Sequence, residues 1–78
     1  MSNRTADIQH VLTMEDAEFR QWVEEHHRCE DRLNELTTKS QISNDEELEE
    51  KTLKKRKLQL KDQMAQRMRT YESQNAVA

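Results

Sequence analysis

Apolar side chains, with one histidine among them, recur at alternating steps of three and four residues in the first half of the chain. Such spacing is a heptad seam, which is typical of a helix that packs one edge against another helix. The positions between are nearly all charged or polar, so the opposite face is solvated. The pattern predicts a first long helix over about residues 15–37. Its seam residues are Phe19, Trp22, His26, Cys29, Leu33 and Leu36.

The second half predicts a longer helix, over about residues 45–72, with two separate apolar faces. At about 100° per residue, one set of side chains falls within about 80° and forms the other half of the seam. This set is Leu53, Leu60, Met64 and Met68, followed by Tyr71. Leu58, flanked by Leu48 and Ala65, lies well outside that face. Because one neighbouring helix covers only one face, these three residues are the expected partner surface.

Two capping signals place the helix starts and the turn between them. Residues 38–44 break the apolar pattern with β-branched and small polar residues, and Ser43 with Glu46 three residues later is a capping box. We expect the tip of a helical hairpin there, because so short a connection makes the two helices antiparallel neighbours. Either Thr13 or Asp16 is suited to cap the first long helix.

The two ends of the chain carry different signals. Ile8, Val11 and Leu12 are spaced as one face of a short extra N-terminal helix that packs on a neighbour. Residues 73–78 form the tail beyond the second long helix, and we expect them to fray. Residues 1–78 are therefore interpreted as a single helical-hairpin domain.

Composition favours an all-α, coiled-coil-like fold and excludes several function classes. The 78 residues are 32% apolar and 37% charged, with neither Gly nor Pro, a balance found in long helices and coiled coils. Without Gly, the chain lacks the backbone of phosphate-binding loops, dinucleotide fingerprints and nucleophile elbows. So small a chain buries a thin core, in which Trp22 is the largest apolar side chain and the predicted anchor.

The surplus apolar face on the second helix predicts association. Isolated hairpins of this length without a disulfide or a metal are marginally stable, so a second layer of helices adds needed burial. A homodimer that forms a four-helix bundle would cover Leu58, and the small Ala65 would let the partner helix approach closely. Docking on a larger protein is the other way to cover the same face.

Charge is distributed unevenly along the chain. Residues 1–50 carry five basic and fourteen acidic side chains, whereas residues 51–69 carry eight basic and one acidic. The two halves are therefore expected to lie against each other. The basic run from Lys51 to Arg69 is also the only stretch suited to nucleic acid, although the net acidic chain and the lack of interleaved aromatic residues oppose this use. The candidate basic surface is Lys54, Lys55, Arg56, Lys57 and Lys61.

One cluster contains residue types that bind metals or perform catalysis. His26, Cys29 and Glu30 share a helix face, but a closed zinc site needs four ligands and only His10 or a symmetry mate remains to complete it. We therefore expect neither a metal nor another cofactor. A Cys/His pair can act as nucleophile and base, yet a two-helix hairpin offers no pocket that excludes water, so no enzymatic activity is expected. His26 is instead expected to be half-buried and bonded to a polar neighbour such as Asp62.

Localisation signals are few. The single cysteine, Cys29, cannot form an internal disulfide, and no apolar run exceeds residues 76–78. These features predict a cytoplasmic protein without a signal peptide or a membrane-spanning helix, and no binding to a membrane surface.

Three sequence segments carry a family resemblance. They are F-x-x-W-V-E-E-H-H-R-C-E-D-R-L from residue 19, E-E-L from residue 46 and K-K-R-K-L-Q-L-K-D from residue 54. Over roughly residues 8–70 the chain resembles the YdcH-like family of short bacterial proteins, a domain of unknown function. The resemblance implies an antiparallel helical hairpin with no assigned activity or catalytic residues. Cys29 stands where an aliphatic residue is more usual in the family, and Ala17 where some relatives have Pro. The family-typical positions are His26, Leu58, Leu60, Lys61 and Asp62.

These observations favour a small non-enzymatic interaction module that self-associates or docks on a larger protein. The alternative function is that of a nucleic-acid-associated accessory protein, which would use the basic run. Salt separates the two, because phosphate contacts weaken steeply with ionic strength and apolar contacts do not.

Overall fold

The computed structural model describes residues 4–75, and these residues form three α-helices and no strand. Helix α1 spans Arg4–Glu15, α2 spans Ala17–Thr38 and α3 spans Asn44–Asn75. All three helices contact one another. The all-helical class expected from the composition is thereby confirmed.

Helix α1 is an integral third helix that packs against both α2 and α3. Its apolar face carries Ile8 and Leu12, which are buried, and Val11, which is half-buried. These are the three side chains whose spacing predicted a short N-terminal helix. They enlarge a core that two helices alone would have left thin.

Asp16 is the N-cap of α2 and also the whole connection between α1 and α2. Its carboxylate accepts hydrogen bonds from the backbone N–H groups of Glu18 and Phe19, at 3.0 and 3.2 Å. Thr13, the other candidate cap, instead donates from its hydroxyl to the Gln9 carbonyl within α1, at 2.7 Å. An extended backbone at Asp16 (φ −113°, ψ 109°) turns the chain between the two helices.

The connection between α2 and α3 covers residues 39–43, and the predicted capping box closes it. The Glu46 N–H donates to the Ser43 hydroxyl at 3.2 Å, and the Ser43 N–H donates to the Glu46 carboxylate at 3.0 Å. Two free N–H groups at the start of α3 are satisfied in this reciprocal way. The capping-box prediction is confirmed.

The end of the chain differs from the sequence-based expectation. Helix α3 continues to Asn75, three residues beyond the predicted end at about residue 72. The rest of the expected tail, residues 76–78, lies outside the described residues. A helix ends where its hydrogen bonds end, and nothing in residues 73–75 is a helix breaker.

Contacts between α2 and α3 join opposite ends of the two helices. Arg32, late in α2, bonds to Glu49, early in α3, whereas Glu18, at the start of α2, bonds to Arg67 near the end of α3. The two helices therefore run in opposite directions along each other. We refer to them together as the α2–α3 pair.

Phe19, rather than Trp22, is the anchor of the core. The Phe19 side chain is 0% exposed, and it packs among buried residues of all three helices. Trp22 is only half-buried and packs against this cluster from the side. The buried cluster around Phe19 consists of Ile8, Leu12, Cys29, Leu60 and Met64.

Candidate interaction surface

The α2–α3 pair has two edges, and one of them is closed by ion pairs. Three arginines each bond to carboxylates of the other helix or its cap, and we call this side the ion-paired edge. Its members are Arg32 with Glu49 at 2.8 Å, Arg56 with Glu25 at 2.6 Å, and Arg67 with Asp16 and with Glu18, the last at 2.6 Å. All of these side chains are partly exposed, so solvent screens each pair and their main effect is to fix the alignment of the helices.

The ion pairs shift the acidities of the carboxylates that take part. The hydrogen bond from Arg56 lowers the pKa of Glu25, and the one from Arg32 lowers the pKa of Glu49. Near the connection, the Lys39 ammonium, helped by the Ser43 N–H, lowers the pKa of Glu46 to about 2. These carboxylates are therefore ionised at neutral pH and hold the edge together.

Trp22 lies on the ion-paired edge and contributes a second kind of contact there. The Arg67 guanidinium carbon lies 4.8 Å from the centre of the Trp22 ring, and Phe19 meets that ring edge-on at 6.2 Å. A cation over an aromatic face is attracted by its quadrupole. The tryptophan thus joins the apolar core to the charged edge, a role that its seam spacing did not indicate.

The opposite side of the α2–α3 pair is an open edge with two concavities. The larger one, of about 550 Å³, lies between all three helices, and the smaller one, of about 390 Å³, lies beside Leu33 and Leu58. Lys61 lines both, so the two concavities adjoin along α3 and together make up one strip of the surface. Within the part of the chain whose side chains are described, no ion pair joins α2 to α3 here. The apolar lining of the larger concavity is Ile8, Val23, Met64, Ala65 and Met68.

The two edges face away from each other because of helix geometry. At about 100° per residue, Leu58 stands about 160° around α3 from Arg56, while Arg56 and Arg67 differ by only about 20°. On α2, Val23 and Glu30 line the open edge, whereas Glu25 belongs to the other edge. We define the open edge as the residues that line the two concavities.

The predicted partner surface is divided by the structure. Leu58 is 62% exposed and lines the smaller concavity, whereas half-buried Ala65 lines the larger one. Leu48 is 65% exposed but lines neither. Ten residues along a helix rotate the side-chain direction to about 80° short of three full turns, so Leu48 points about 80° away from Leu58. Only Leu58 and Ala65 belong to a common surface.

The predicted seam residues are distributed by burial between the centre and the sides of the interface. The buried members are Phe19, Cys29, Leu33, Leu36, Leu60 and Met64. The half-buried members are Trp22, His26, Leu53 and Met68. Val23, which the heptad spacing left as a flank, packs against the core and lines the open edge. An apolar valine outside the heptad seam was the one sequence feature of α2 that could have indicated an apolar surface on this edge.

His26 is bonded to Glu30 and not to Asp62. Its Nδ1 lies 2.9 Å from the Glu30 carboxylate, while Nε2 is buried and has no hydrogen-bond partner among the described residues. The His26 side chain is 15% exposed, and this burial lowers its pKa, against a smaller opposing effect of Glu30. Asp62 is exposed on α3. The expected partner was wrong because Glu30, one helical turn away, is within closer reach.

Cys29 and the remaining metal-ligand types form no reactive centre in the described chain. Cys29 is buried, and burial raises the pKa of its thiol. Among residues 5–74, no group of three or more His, Cys, Asp and Glu side chains is arranged to hold a metal ion. His27 faces solvent, with its ring 6.3 Å from that of His26.

The candidate basic surface is also divided between the two edges. Arg56 is bonded to Glu25 on the ion-paired edge. Lys54, Lys57 and Lys61 line the open edge, and Lys54 lies 3.6 Å from Glu50 on its own helix. Lys55 is exposed and lines neither concavity. The basic run is therefore not a single continuous stripe.

These features define the class of protein: a small all-helical chain whose long α2–α3 pair has one closed edge and one open edge. The chain belongs to the family described as protein of unknown function (DUF465), whose model matches residues 19–68. The YdcH-like resemblance is confirmed by this match. Neither a curated protein nor a solved structure matches the chain. In the part of the chain that is described, no helix is long and apolar enough to cross a membrane.

Proposed function

We propose that this chain is a non-enzymatic interaction module, an antiparallel, coiled-coil-like helical hairpin that binds another helical protein surface through its open edge. The observation that carries the proposal is Leu58, a large apolar side chain exposed beside two concavities, on the edge where the described side chains form no ion pair between α2 and α3. An exposed apolar side chain beside a groove is a suitable anchor for an amphipathic helix of a partner. The module acts in the bacterial cytoplasm, in keeping with the family resemblance and with the single thiol, Cys29.

The ion-paired edge is unsuited to the same role. Its arginines already bond to carboxylates of the chain, so a partner would have to replace these bonds before gaining its own. Among the described side chains, the open edge has no such bonds to break between α2 and α3. Binding there would remove the apolar lining of the two concavities from water without first breaking an ion pair between α2 and α3.

The module can meet two kinds of helical surface. Two open edges placed face to face would bring the four long helices of two chains together, with α1 of each chain at the side, and would bury both Leu58 side chains. Docking on a different protein would bury the same strip against one foreign helix. Both forms use the same residues, and both are protein–protein interactions rather than catalysis.

Nucleic-acid binding is the less favoured function. Arg56 and Arg67 are bonded to carboxylates, and Lys54 lies beside Glu50. Four cations of the basic run line the open edge, but they stand beside exposed apolar side chains such as Leu58. Single-stranded nucleic acid is usually bound by cations together with aromatic side chains on which the bases stack, and the basic run has no interleaved aromatic residue.

The test is site-specific photo-crosslinking in the cells of origin. A photoreactive amino acid at Leu58 is expected to capture a protein, either a second copy or another chain. The same amino acid at Leu48 is the matched control, because Leu48 is equally exposed on the same helix but lies outside the open edge. Equal capture from both positions, or capture of nucleic acid alone, would contradict the proposal.

A further inference from the structure

We infer that the open edge receives an acidic amphipathic helix of a different protein. This inference rests on the proposed interaction function and names the chemistry of the partner. It depends on the shape of the edge, on its charge and on the poor fit of a second copy.

The shape of the open edge suits one helix lying along it. From Lys54 to Glu72 the edge follows α3 for about 27 Å, which is the length of about five helical turns. Val23, Leu58 and Met68 form part of its apolar floor, in a strip bounded by charged side chains. A helix with apolar residues at steps of three and four would place one side chain per turn on this floor. Methionine side chains adapt their shape to such a partner.

The charge of the open edge is positive, although the whole chain has a net charge of −3. Four cations and two carboxylates line its two concavities. One of the carboxylates, Glu30, already lies against His26 Nδ1. Acidic residues on both flanks of a bound helix would meet the cations and fix its register. The cations are Lys54, Lys57, Lys61 and Arg69.

A second copy is a poorer occupant of this strip. In a twofold dimer the same surface patch faces itself, so Lys57 and Lys61 of both chains would approach each other. The outward face of α2 is acidic, with exposed Glu24, Asp31 and Glu35, but it presents no large exposed apolar side chain among its described residues. This face therefore offers an acidic rim without the apolar stripe that the strip requires.

The experiment uses two synthetic helical peptides of about 18 residues, long enough to span the strip. Both carry leucines at helical spacing, and they differ only in having Glu or Lys on the flanks. Fluorescence anisotropy of labelled peptide is measured with the full chain at about 0.15 M salt. We expect the acidic peptide to bind about tenfold more tightly than the basic one.

Charge reversal supplies the decisive variant. Lys57→Glu combined with Lys61→Glu is expected to invert the preference between the two peptides. Lys51→Glu combined with Lys55→Glu is the matched control, because it makes the same charge change on α3 outside the open edge and should leave the preference intact. Leu58→Lys should weaken the binding of the acidic peptide. Thermal melts by circular dichroism verify that each variant is folded.

The remaining outcomes separate this inference from the proposed function. Equal affinity for the two peptides, or a preference that survives the double reversal, overturns the acidic partner. A dimer in sedimentation that Leu58→Lys dissociates also overturns it, but leaves the interaction module standing. If neither peptide binds and position 58 captures no protein in cells, both proposals fail.

Discussion

Arg56 bonds to Glu25 through two of its guanidinium nitrogens, with Nε at 2.6 Å from Oε2 and Nη2 at 2.8 Å from Oε1. The two residues are 31 positions apart in the sequence and lie on different helices. A two-point contact of this kind has a definite geometry, so it specifies alignment as well as attraction. It holds α2 and α3 in one register near the middle of the ion-paired edge.

Reversing Arg56 should therefore lower the stability of the fold. We expect Arg56→Glu to lower the melting temperature measured by circular dichroism, because two carboxylates would face each other at this point. The double variant Glu25→Arg with Arg56→Glu should recover most of the loss. Lys55→Glu, at an exposed neighbouring position, is the control for net charge. If the double variant melts no higher than Arg56→Glu, another contact sets the register.

Asp16 should contribute in two separable ways, as helix cap and as ion-pair partner. Asp16→Ala removes both contributions and should cost about 1 kcal/mol through the lost cap alone. Asp16→Asn keeps a capping side chain but removes the charge that Arg67 contacts. Urea unfolding of both variants measures the difference. Equal losses for Ala and Asn would show that the cap contributes nothing and that the charge alone matters.

Truncation of Phe19 should be more damaging than truncation of Trp22. Phe19 is fully buried, and Phe→Ala at such a site typically costs about 3–5 kcal/mol, which is a large part of the stability of a small domain. Trp22 is only half-buried, so Trp22→Ala should cost less despite its larger side chain. Chemical unfolding of both variants tests the order, with Phe19→Leu as a milder substitute if Phe19→Ala fails to fold. The reverse order would mean that Trp22 carries the core.

Stability should depend on the protonation of His26 between pH 8 and 5. Burial lowers its pKa below 6.5, against Glu30, while the positive charges of Lys57, Lys61 and His27 lower it further. Below about pH 6.5 the unfolded chain therefore binds a proton that the folded chain does not, and stability falls until the folded pKa is passed. The loss should be present in wild type and absent in His26→Gln. Parallel pH profiles of the two would refute this assignment.

The local and periodic features of the fold were predictable from the sequence. Capping boxes and heptad spacing act over three or four residues, so the roles of Ser43 and Glu46 follow from residue types and spacing alone. Residue types alone do not decide whether Thr13 or Asp16 caps α2, because both have suitable side chains. The choice depends on where α1 ends, and α1 takes Thr13 into its own last turns.

The open edge could not be predicted from the sequence, because its residues come together only when the three helices pack. Spacing grouped Leu48 with Leu58 and Ala65 as one surplus face, but the grooves beside α3 are defined by α1 and α2 as well. The spacing of residues likewise could not show which basic residues of α3 form ion pairs with α2. Only the positions of Glu25 and Glu18 on α2 decide which cations are bonded internally and which stay on the open edge.

The molecule is 54 Å long, and α1 packs at only one end of it. We therefore expect the two ends of the α2–α3 pair to differ in their resistance to local unfolding. The buried cluster that includes Ile8 and Leu60 lies where all three helices meet, whereas the end near the connection relies on Leu36 and on partly exposed ion pairs. Backbone amides near Leu60 should exchange with deuterium only through global unfolding, and those near Glu49 through local openings of lower free energy. We therefore expect α2 and α3 to separate first near the connection at residues 39–43. The opposite end of the pair, which packs against α1, should stay closed until the whole chain unfolds.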